Sequence, residues 1–175
     1  CTTTVNVFDT VAPAITCPAT QTQSLGAGCV VTLADYTGLA TTSDNCGSIA
    51  SVTQSPPAGT SILGETTTTV TLTVTDTNGN QNTCDFDVIT VDTTDPTITC
   101  PADITASNDT GDCTAVVTYT TPVGTDDCTG ATTTQTAGLP SGSAFPVGTT
   151  TNTFEVEDAA GNSTTCSFTV TVNDT

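Results

Sequence analysis

The chain has 175 residues, a length that fits one large domain or two small ones. It contains 18 acidic residues and no lysine, arginine or histidine, so its formal net charge is −18. A surface of this sign repels nucleic-acid phosphates and anionic membranes, which argues against either as a partner. No stretch of the sequence reaches the roughly 18 apolar residues that a membrane helix needs, so membrane insertion is not expected.

The nine cysteines are widely spaced along a threonine-rich chain. Zinc sites are not expected, because histidine is absent and the cysteines do not form the close pairs of zinc ribbons. Regularly spaced cysteines of this kind indicate an oxidising compartment and structural disulfides. The composition therefore predicts an extracellular or cell-surface protein.

Aligned with itself, the chain shows a period of 82 to 84 residues. Four cysteines recur at this spacing, as the pairs Cys17 and Cys100, Cys29 and Cys113, Cys46 and Cys128, and Cys84 and Cys166. We therefore assign residues 9–91 and 92–173 to two repeats. Residues 1–8 are predicted to be the last strand of a preceding repeat, with Cys1 as its fourth cysteine, and residues 174–175 to begin the next.

The first repeat is predicted to consist of short strands, because apolar and polar residues alternate in runs that turn residues separate. The strands are expected near residues 14–17, 22–24, 30–33, 49–54, 61–63, 68–75 and 83–91. The segment Asp76-Thr-Asn-Gly-Asn80 joins the last two strands, and its Asn and Gly residues favour a tight turn. This repeat therefore ends in a long β-hairpin.

The second repeat shows the same order of elements. Its first strand is expected in two pieces, because Pro101 interrupts it. The strands are expected near residues 97–100, 104–107, 113–120, 131–136 and 144–145, followed by a hairpin that includes residues 154–172. Alternation on both sides of the Asp158–Asn162 turn indicates that one face of this hairpin is buried.

Short strands with turns every 8–12 residues, and no amphipathic helical stretch, predict an all-β fold of tandem Ig-like antiparallel β-sandwiches stabilised by disulfides. Sandwiches of this size bury small cores, so disulfides are expected to contribute as much stability as the whole of a small domain possesses. The core of the second sandwich is expected from Ile98, Val117, Tyr119, Phe154, Val156, Phe168 and Val170.

Four cysteines in a repeat allow three pairings. In an Ig-like sandwich, the loop after the second strand and the turn before the last strand lie at the same end. The third cysteine of each repeat occupies that loop and the fourth follows that turn, which favours a bond between them. The expected disulfides are Cys46–Cys84 and Cys128–Cys166 and, by elimination, Cys17–Cys29 and Cys100–Cys113.

Four segments of the second repeat form a specific set when they occur in order. They are Asp92–Ile104, Phe145–Thr151, Glu157–Asn162 and Cys166–Val172. Together they resemble the HYR (hyalin repeat) domain family, and the resemblance extends over nearly the whole chain. The first repeat departs from it, since Ser61-Ile-Leu-Gly64 replaces the Phe-Pro-Val-Gly element and Thr20-Gln-Thr22 replaces Asp-Ile-Thr. The resemblance implies Ig-like extracellular modules in tandem, associated with adhesion.

The expected function is that of an extracellular structural repeat forming a rod, stalk or filament of an adhesive surface protein. Its expected partners are neighbouring repeats and other copies of the same chain. Two alternatives remain open, a glycan- or protein-binding module and an accessory domain of a larger secreted protein. A glycan-binding module needs exposed aromatic side chains, whereas Tyr36 and Tyr119 are expected in the cores.

No enzymatic activity is expected. The family carries no catalytic residues to transfer, and the chain lacks the histidine, lysine and arginine that active sites commonly use. Carboxylate pairs remain, and Glu155 and Glu157 are the example on one strand. They are expected on the solvent face of the hairpin.

Calcium is the cofactor that the composition leaves possible, because hard cations take oxygen ligands. The candidate ligands are Asp76 and Asn78 in the first hairpin turn, Asp92 and Asp95 at the linker between repeats, and Asp126 and Asp127 before Cys128. Turn chemistry alone also explains acidic and amide residues at these places. The calcium site is therefore a hypothesis that competes with a purely structural explanation.

Asn-x-Ser/Thr triplets begin at Asn108, Asn162 and Asn173. Asn108 and Asn162 are candidate N-glycosylation sites, because both fall in predicted turns. Such triplets also arise by chance in a chain this rich in threonine.

Overall fold

A computed structural model describes residues 2–4 and 7–175 of the chain. It divides into two compact units, Cys1–Asp92 and Thr93–Thr175. The strand predicted over residues 1–8 includes Cys1, Val5 and Asn6, which lie outside the described residues. The described residues of that segment, 2–4 and 7–8, carry no strand.

In the described residues of the first unit there are eight strands and one short 3₁₀ turn, Thr37–Leu39. The strands are β1 Ala14–Thr16, β2 Gln21–Ser24, β3 Val30–Thr32, β4 Thr41–Ser43, β5 Ile49–Ser55, β6 Ser61–Leu63, β7 Thr67–Asp76 and β8 Gln81–Val91. Four of them form a sheet in the order β2-β8-β7-β5, and the pairs β1-β4 and β3-β6 form two smaller sheets. The predicted strands of this repeat are all present. The sequence missed β4, a three-residue strand with no clear alternation.

The second unit contains six strands. They are β9 Ile104–Ser107, β10 Thr114–Val117, β11 Thr132–Ala137, β12 Ser143–Pro146, β13 Gly148–Glu157 and β14 Ser163–Asn173. The main sheet has the order β11-β13-β14-β9, and β10 pairs with β12. An isolated bridge between Thr97 and Thr125 stands where the first unit has the pair β1-β4.

The all-β sandwich class is confirmed, with one difference from the antiparallel arrangement predicted. In each unit the strand after the proline break runs parallel to the last strand, as β2 with β8 and β9 with β14. The break makes this possible, because the piece of chain before Pro18 pairs with another sheet while the piece after it joins the main sheet. The first strand of the first sandwich is therefore shared between two sheets, whereas the strand predicted over residues 97–100 of the second is reduced to the isolated bridge at Thr97.

Alternation along the long hairpins places the cores. In β7 the side chains of Val70, Leu72 and Val74 are fully buried, while the intervening threonines are half-buried. Threonine suits these positions, because β-branched side chains fit a pleated, half-exposed surface. The first core comprises Leu33, Tyr36, Ile62, Val70, Leu72, Phe86 and Val88.

The core of the second unit contains Ala115, Val117, Phe145, Phe154, Phe168, Val170 and Val172. Val156 is also fully buried, and Ile98 and Tyr119 pack against the cluster as partly buried residues. Every core residue predicted for this unit thus contributes to the interior. The sequence missed Phe145, which is fully buried in the short strand β12.

A buried amide beside this core was also missed. Asn152 is fully buried in β13, and its Oδ1 accepts hydrogen bonds from the Leu139 N–H at 2.8 Å and from Gln135 Nε2 at 3.2 Å. Gly138 makes room for it, since its φ is +89° and a Cβ there would collide with the amide. The turn before β12 is therefore held by a polar contact inside the sandwich.

The predicted disulfide pairing is wrong. Cys17 bonds to Cys84 in the first unit, with a Cα–Cα distance of 5.7 Å. The bond joins the two layers of the sandwich, because Cys17 follows β1 whereas Cys84 lies within β8, and both pack against the core. The expected partners are elsewhere. Cys46 is an exposed thiol in the β4–β5 loop, and β2 separates Cys17 from Cys29.

The disulfide pairing of the second unit also differs from the prediction. Cys100 bonds to Cys166, again with a Cα–Cα distance of 5.7 Å. The expected pairs Cys128–Cys166 and Cys100–Cys113 are therefore wrong, and Cys113 is an exposed thiol. The general prediction that disulfides stabilise each sandwich is confirmed, whereas the assignment of Cys46 and Cys113 to disulfides within their own repeats is not.

Candidate functional site

Each unit has two ends, which we name by the direction of the chain. At the leading end the chain enters, and at the trailing end the last strand finishes. The leading end of the first unit holds Asp9, whose backbone oxygen accepts a hydrogen bond from Asn80 Nδ2 in the β7–β8 turn at 3.2 Å. The β4–β5 loop joins it there, since the Thr77 N–H donates to the Ser48 oxygen at 3.1 Å.

Three carboxylates meet at this leading end. Asp9, Asp44 and Asp76 each offer an oxygen, and these oxygens lie within 4.8 Å of one another. Asp9 and Asp44 each use one oxygen to accept the backbone N–H two residues ahead, from Val11 at 3.0 Å and from Cys46 at 3.4 Å. Asp9 Oδ2 and Asp44 Oδ1 are buried atoms without a hydrogen-bond partner in the described structure.

Asp76 has a structural role of its own. Its Oδ1 accepts the N–H groups of Asn78 and Asn80, and its Oδ2 accepts Asn80 Nδ2, all at 2.8 Å. These bonds close the hairpin turn, in which Gly79 takes a φ of +90° that favours glycine. The side chain is only 2% exposed. Burial tends to raise the pKa of Asp76, but the bonds from Asn80, Asn78 and Gly79 outweigh it and hold the pKa below its usual value of 3.8.

Asp158 closes the corresponding hairpin turn in the second unit. It is 7% exposed, and its two oxygens accept the N–H and the Nδ2 of Asn162, both at 2.8 Å. Burial again tends to raise the pKa, and the bonds from Asn162, Gly161 and Ala160 again leave it below 3.8. The repeat register assigns Asp92, Asp126 and Asp158 to the positions of Asp9, Asp44 and Asp76.

An open depression lies beside the carboxylates in both units. The first measures about 350 Å³ and is lined by Val11, Ala12, Ala14, Ser43, Asp44 and Asn45. The second measures about 380 Å³ and is lined by Thr94, Asp95, Thr97, Thr125, Asp126 and Asp127. The lining residues correspond one to one in the repeat register, so the depression is a feature of the repeat.

Comparison with known proteins decides the family. The HYR domain family model matches residues 8–90 and again residues 91–172. This chain belongs to the HYR domain family. The expectation drawn from the sequence motifs is therefore confirmed, and both units are HYR repeats in tandem.

Two sea urchin proteins resemble this pair of HYR repeats along its length. Hyalin from Strongylocentrotus purpuratus is 34% identical over 175 residues and hyalin from Lytechinus variegatus is 34% identical over 179 residues, each alignment covering 98% of this chain. The chain spans 14% and 33% of the lengths of these relatives.

Solved structures resemble the HYR pair more distantly. Human protocadherin-24 EC1-2 aligns with 94% of this chain and all of its own at 15% identity, with a TM-score of 0.42. The fibronectin(III)-like modules of CbhA from Clostridium thermocellum align with 93% of this chain and 94% of their own at 12% identity, with a TM-score of 0.30. At these TM-scores and sequence identities, the similarity supports no conclusion about function.

The candidate calcium ligands of the two HYR repeats are partly brought together. Asp76 belongs to the leading-end cluster, and Asp95 lines the depression with Asp126 and Asp127. Asn78 is exposed in the turn. Asp92 is 7% exposed, and its backbone N–H donates to Glu65 Oε1 at 3.0 Å.

Sequence reasoning missed Asp9 and Asp44, the residues with unpartnered oxygens. Their recurrence as Asp92 and Asp126 in the second HYR repeat was the signal that could have found them. Turn formation explains the single acidic residue within the hairpin turn. It does not explain why acidic residues in three separate segments of one repeat recur at the same positions in the other repeat.

Calcium is expected to stabilise the first HYR repeat. Three converging carboxylates repel one another in a chain without a cationic side chain, and a divalent cation relieves that repulsion. If the Kd is about 0.1 mM, as in extracellular calcium modules, 10 mM calcium should add about 2.7 kcal/mol and raise Tm by several degrees. The measurement is thermal unfolding with calcium against EDTA.

The matched control is Asp85→Asn, which removes one charge from an exposed site on β8. Asp44→Asn should abolish the calcium-dependent rise in Tm, and Asp85→Asn should retain it. Equal shifts in the two variants would mean that calcium acts only by screening the net charge.

Acid is expected to destabilise both HYR repeats through the turn carboxylates. Since the folded pKa values of Asp76 and Asp158 are lowered, their contribution to stability is present above pH 3.8 and is lost as pH falls below it. Asp158→Asn should flatten the pH dependence of the second unit's urea midpoint below pH 4. Glu157→Gln, at an exposed neighbour, should leave it unchanged, and a slope equal in the two variants would contradict the assignment.

The candidate glycosylation sites stay predictions. Asn108 is half-buried, and its Nδ2 donates to the Asp112 oxygen at 2.8 Å. The Nδ2 of Asn162 donates to Asp158 Oδ2 at 2.8 Å. Each Nδ2 keeps one N–H after attachment of a glycan, so this N–H would have to remain the donor of its hydrogen bond.

Proposed function

We propose that this chain is a segment of the shaft of an extracellular or cell-surface protein, in which tandem HYR repeats span distance. The observation that carries the proposal is the path of the chain through each unit. In the first unit, Asp9 contacts the β7–β8 turn, and β8 then runs 11 residues to Val91 at the opposite end. Eleven strand residues span about 33–37 Å.

The second unit supports the same path. Its chain enters beside Thr125, which bridges Thr97, and it leaves at Asn173, the end of the 11-residue strand β14. A module that the chain enters at one end and leaves at the other can be repeated without turning back. Each added repeat then extends the array.

The composition suits exposure outside the cell. Each sandwich is closed by its own disulfide, and the absence of lysine and arginine leaves no trypsin-type cleavage site. No helix in the described part of the chain is long and apolar enough to cross a bilayer. The family and fold are those of a structural repeat of adhesion type and not of an enzyme class, which supports a role without catalysis.

The burial of nearly all aromatic side chains favours the structural role over glycan binding. Tyr36 is 5% exposed and its hydroxyl donates to Gln23 Oε1 at 2.9 Å. Tyr119 packs edge-on against Phe168 at 4.9 Å between ring centroids. The seven aromatic residues all lie in the described part of the chain, and Phe8 alone among them is exposed, at 78%. A single ring offers little of the stacking surface that sugar recognition uses.

Immunogold electron microscopy of intact, unpermeabilised cells tests the location. Gold is expected at the cell surface or along fibres that leave it. Gold found only in sections through the cell interior would contradict the proposal. A glycan array with the purified chain, and with Phe8→Ala as its control, separates a shaft from a binding module, since specific binding lost in that variant would favour the module.

A further inference from the structure

Each repeat carries one exposed thiol, at its leading end in the first repeat and at its trailing end in the second. Cys46 is in the β4–β5 loop at the leading end of the first unit, next to Asp44, which accepts its N–H. Cys113 is at the trailing end of the second unit, where its oxygen accepts the Val147 N–H at 3.1 Å. The neighbouring Asn108 N–H donates to the oxygen of Asn173, the last residue of β14, at 3.0 Å.

The repeat register relates these thiols to two oxidised cysteines. Cys46 occupies the third cysteine position of its repeat, as Cys128 does in the other repeat, and Cys113 occupies the second position, as Cys29 does. Cys29 and Cys128 are both disulfide-bonded. Each position therefore carries an oxidised cysteine in one repeat and an exposed thiol in the other.

The ends of the units give these positions a direction. Cys29 lies at the trailing end of the first unit, since its oxygen accepts the Gly64 N–H at 2.8 Å and the nearby Leu25 N–H donates to the Val91 oxygen at 2.8 Å. The second cysteine of a repeat is thus at its trailing end in both units. The third cysteine follows a leading-end acid, Asp44 or Asp126, that accepts its N–H.

We propose that Cys113 forms a disulfide with the third cysteine of the repeat that follows it, and that Cys46 forms one with the second cysteine of the repeat that precedes it. In a tandem array the trailing end of one repeat leads directly to the leading end of the next. The array is then a continuous covalent ladder, with one disulfide inside each repeat and one between successive repeats. The shaft resists extension and proteolysis at its linkers as well as in its sandwiches.

The oxidant is a small-molecule disulfide such as oxidised glutathione. The Cys113 thiolate attacks one of its sulfurs, which forms a mixed disulfide and releases one glutathione thiol. The thiolate of the next repeat's cysteine then attacks the Cys113 sulfur and releases the second glutathione thiol. Two protein thiols are oxidised, one disulfide of the oxidant is reduced to two thiols, and the two protons pass to the glutathione thiolates.

A doubled chain tests the ladder. Asp174-Thr175 corresponds to Asp9-Thr10, so joining Thr175 to Val11 of a second copy preserves the repeat register. The first copy carries Cys1→Ser to remove the terminal cysteine. After refolding with oxidised and reduced glutathione, the chain is denatured without reductant, labelled with a maleimide and weighed by mass spectrometry.

The number of maleimide labels shows whether a disulfide has formed between the two copies. The single Cys1→Ser chain should take two labels, on Cys46 and Cys113. The doubled chain should also take two, because Cys113 of the first copy and Cys46 of the second are bonded to each other. Peptide mapping should recover the two cysteine peptides as one cross-linked species, and Cys113→Ser in the first copy should raise the count to three.

Four labels on the doubled chain, falling to three in the Cys113→Ser variant, would overturn the ladder. A cross-link of either cysteine to any other partner would overturn it as well. This inference rests on the tandem shaft proposed above, but the two can fail separately. An array that lengthens regularly with four labels would leave the shaft standing and remove only the disulfides between repeats.

Discussion

Replacement of both Cys17 and Cys84 by serine is expected to lower the free energy of unfolding of the first HYR repeat by about 4 kcal/mol. The disulfide joins residues 67 positions apart, and closing a loop of that length in the unfolded chain accounts for a loss of this size. A small sandwich has a total stability of about 5–10 kcal/mol. The variant should therefore be close to unfolded at physiological temperature.

Each repeat carries a single tyrosine and the chain has no tryptophan, so the two units can be followed separately. In a Tyr119→Phe background, fluorescence in urea reports on Tyr36, which lies in the first core. The matched control is Cys46→Ser, which should change the stability by less than about 0.5 kcal/mol, because the thiol is exposed. A large loss in the control and a small one in the double variant would restore the pairing that the sequence favoured.

Phe154→Ala is expected to destabilise the second repeat by about 3–5 kcal/mol. The side chain is 1% exposed. Its ring stacks on that of Phe168 with centroids 6.4 Å apart and meets Tyr119 edge-on at 6.3 Å. Truncation leaves a cavity between the layers of a small core and also removes these ring contacts.

Tyr119 is the reporter for this variant, in a Tyr36→Phe background. Thr151→Ala is the matched control, because it lies on the same strand with its side chain exposed, and it should cost less than about 1 kcal/mol. A loss below about 1 kcal/mol for Phe154→Ala would show that the centre of this sandwich lies elsewhere.

The strands were predictable where the signal is local. Alternation at Val70, Leu72 and Val74 fixes which face of β7 is buried, and the turn at residues 76–80 fixes the register of the hairpin. Pro101 correctly marked the break in the first strand. The parallel pairing of β9 with β14 was not predictable, because no pattern within a strand records which neighbour it joins.

The disulfide pairing was predicted wrongly for a related reason. Loop position suggested that Cys46 could reach Cys84, but pairing depends on which layer a side chain faces. Cys84 faces inward from β8 toward Cys17 on the opposite layer. The carboxylate cluster was likewise only half found, since Asp9, Asp44 and Asp76 come from three separate segments that folding brings together.

A shaft built from tandem HYR repeats grows in length with the number of repeats. Chains of two, four and six repeats, joined in register, are imaged by negative-stain electron microscopy under oxidising conditions. If the repeats form a shaft, the particles lengthen by roughly 35–40 Å with every repeat at constant width, because a long hairpin strand spans about 33–37 Å and the linker adds to it. Particles that stay equally long while growing wider, with repeats folded back on one another, would contradict it.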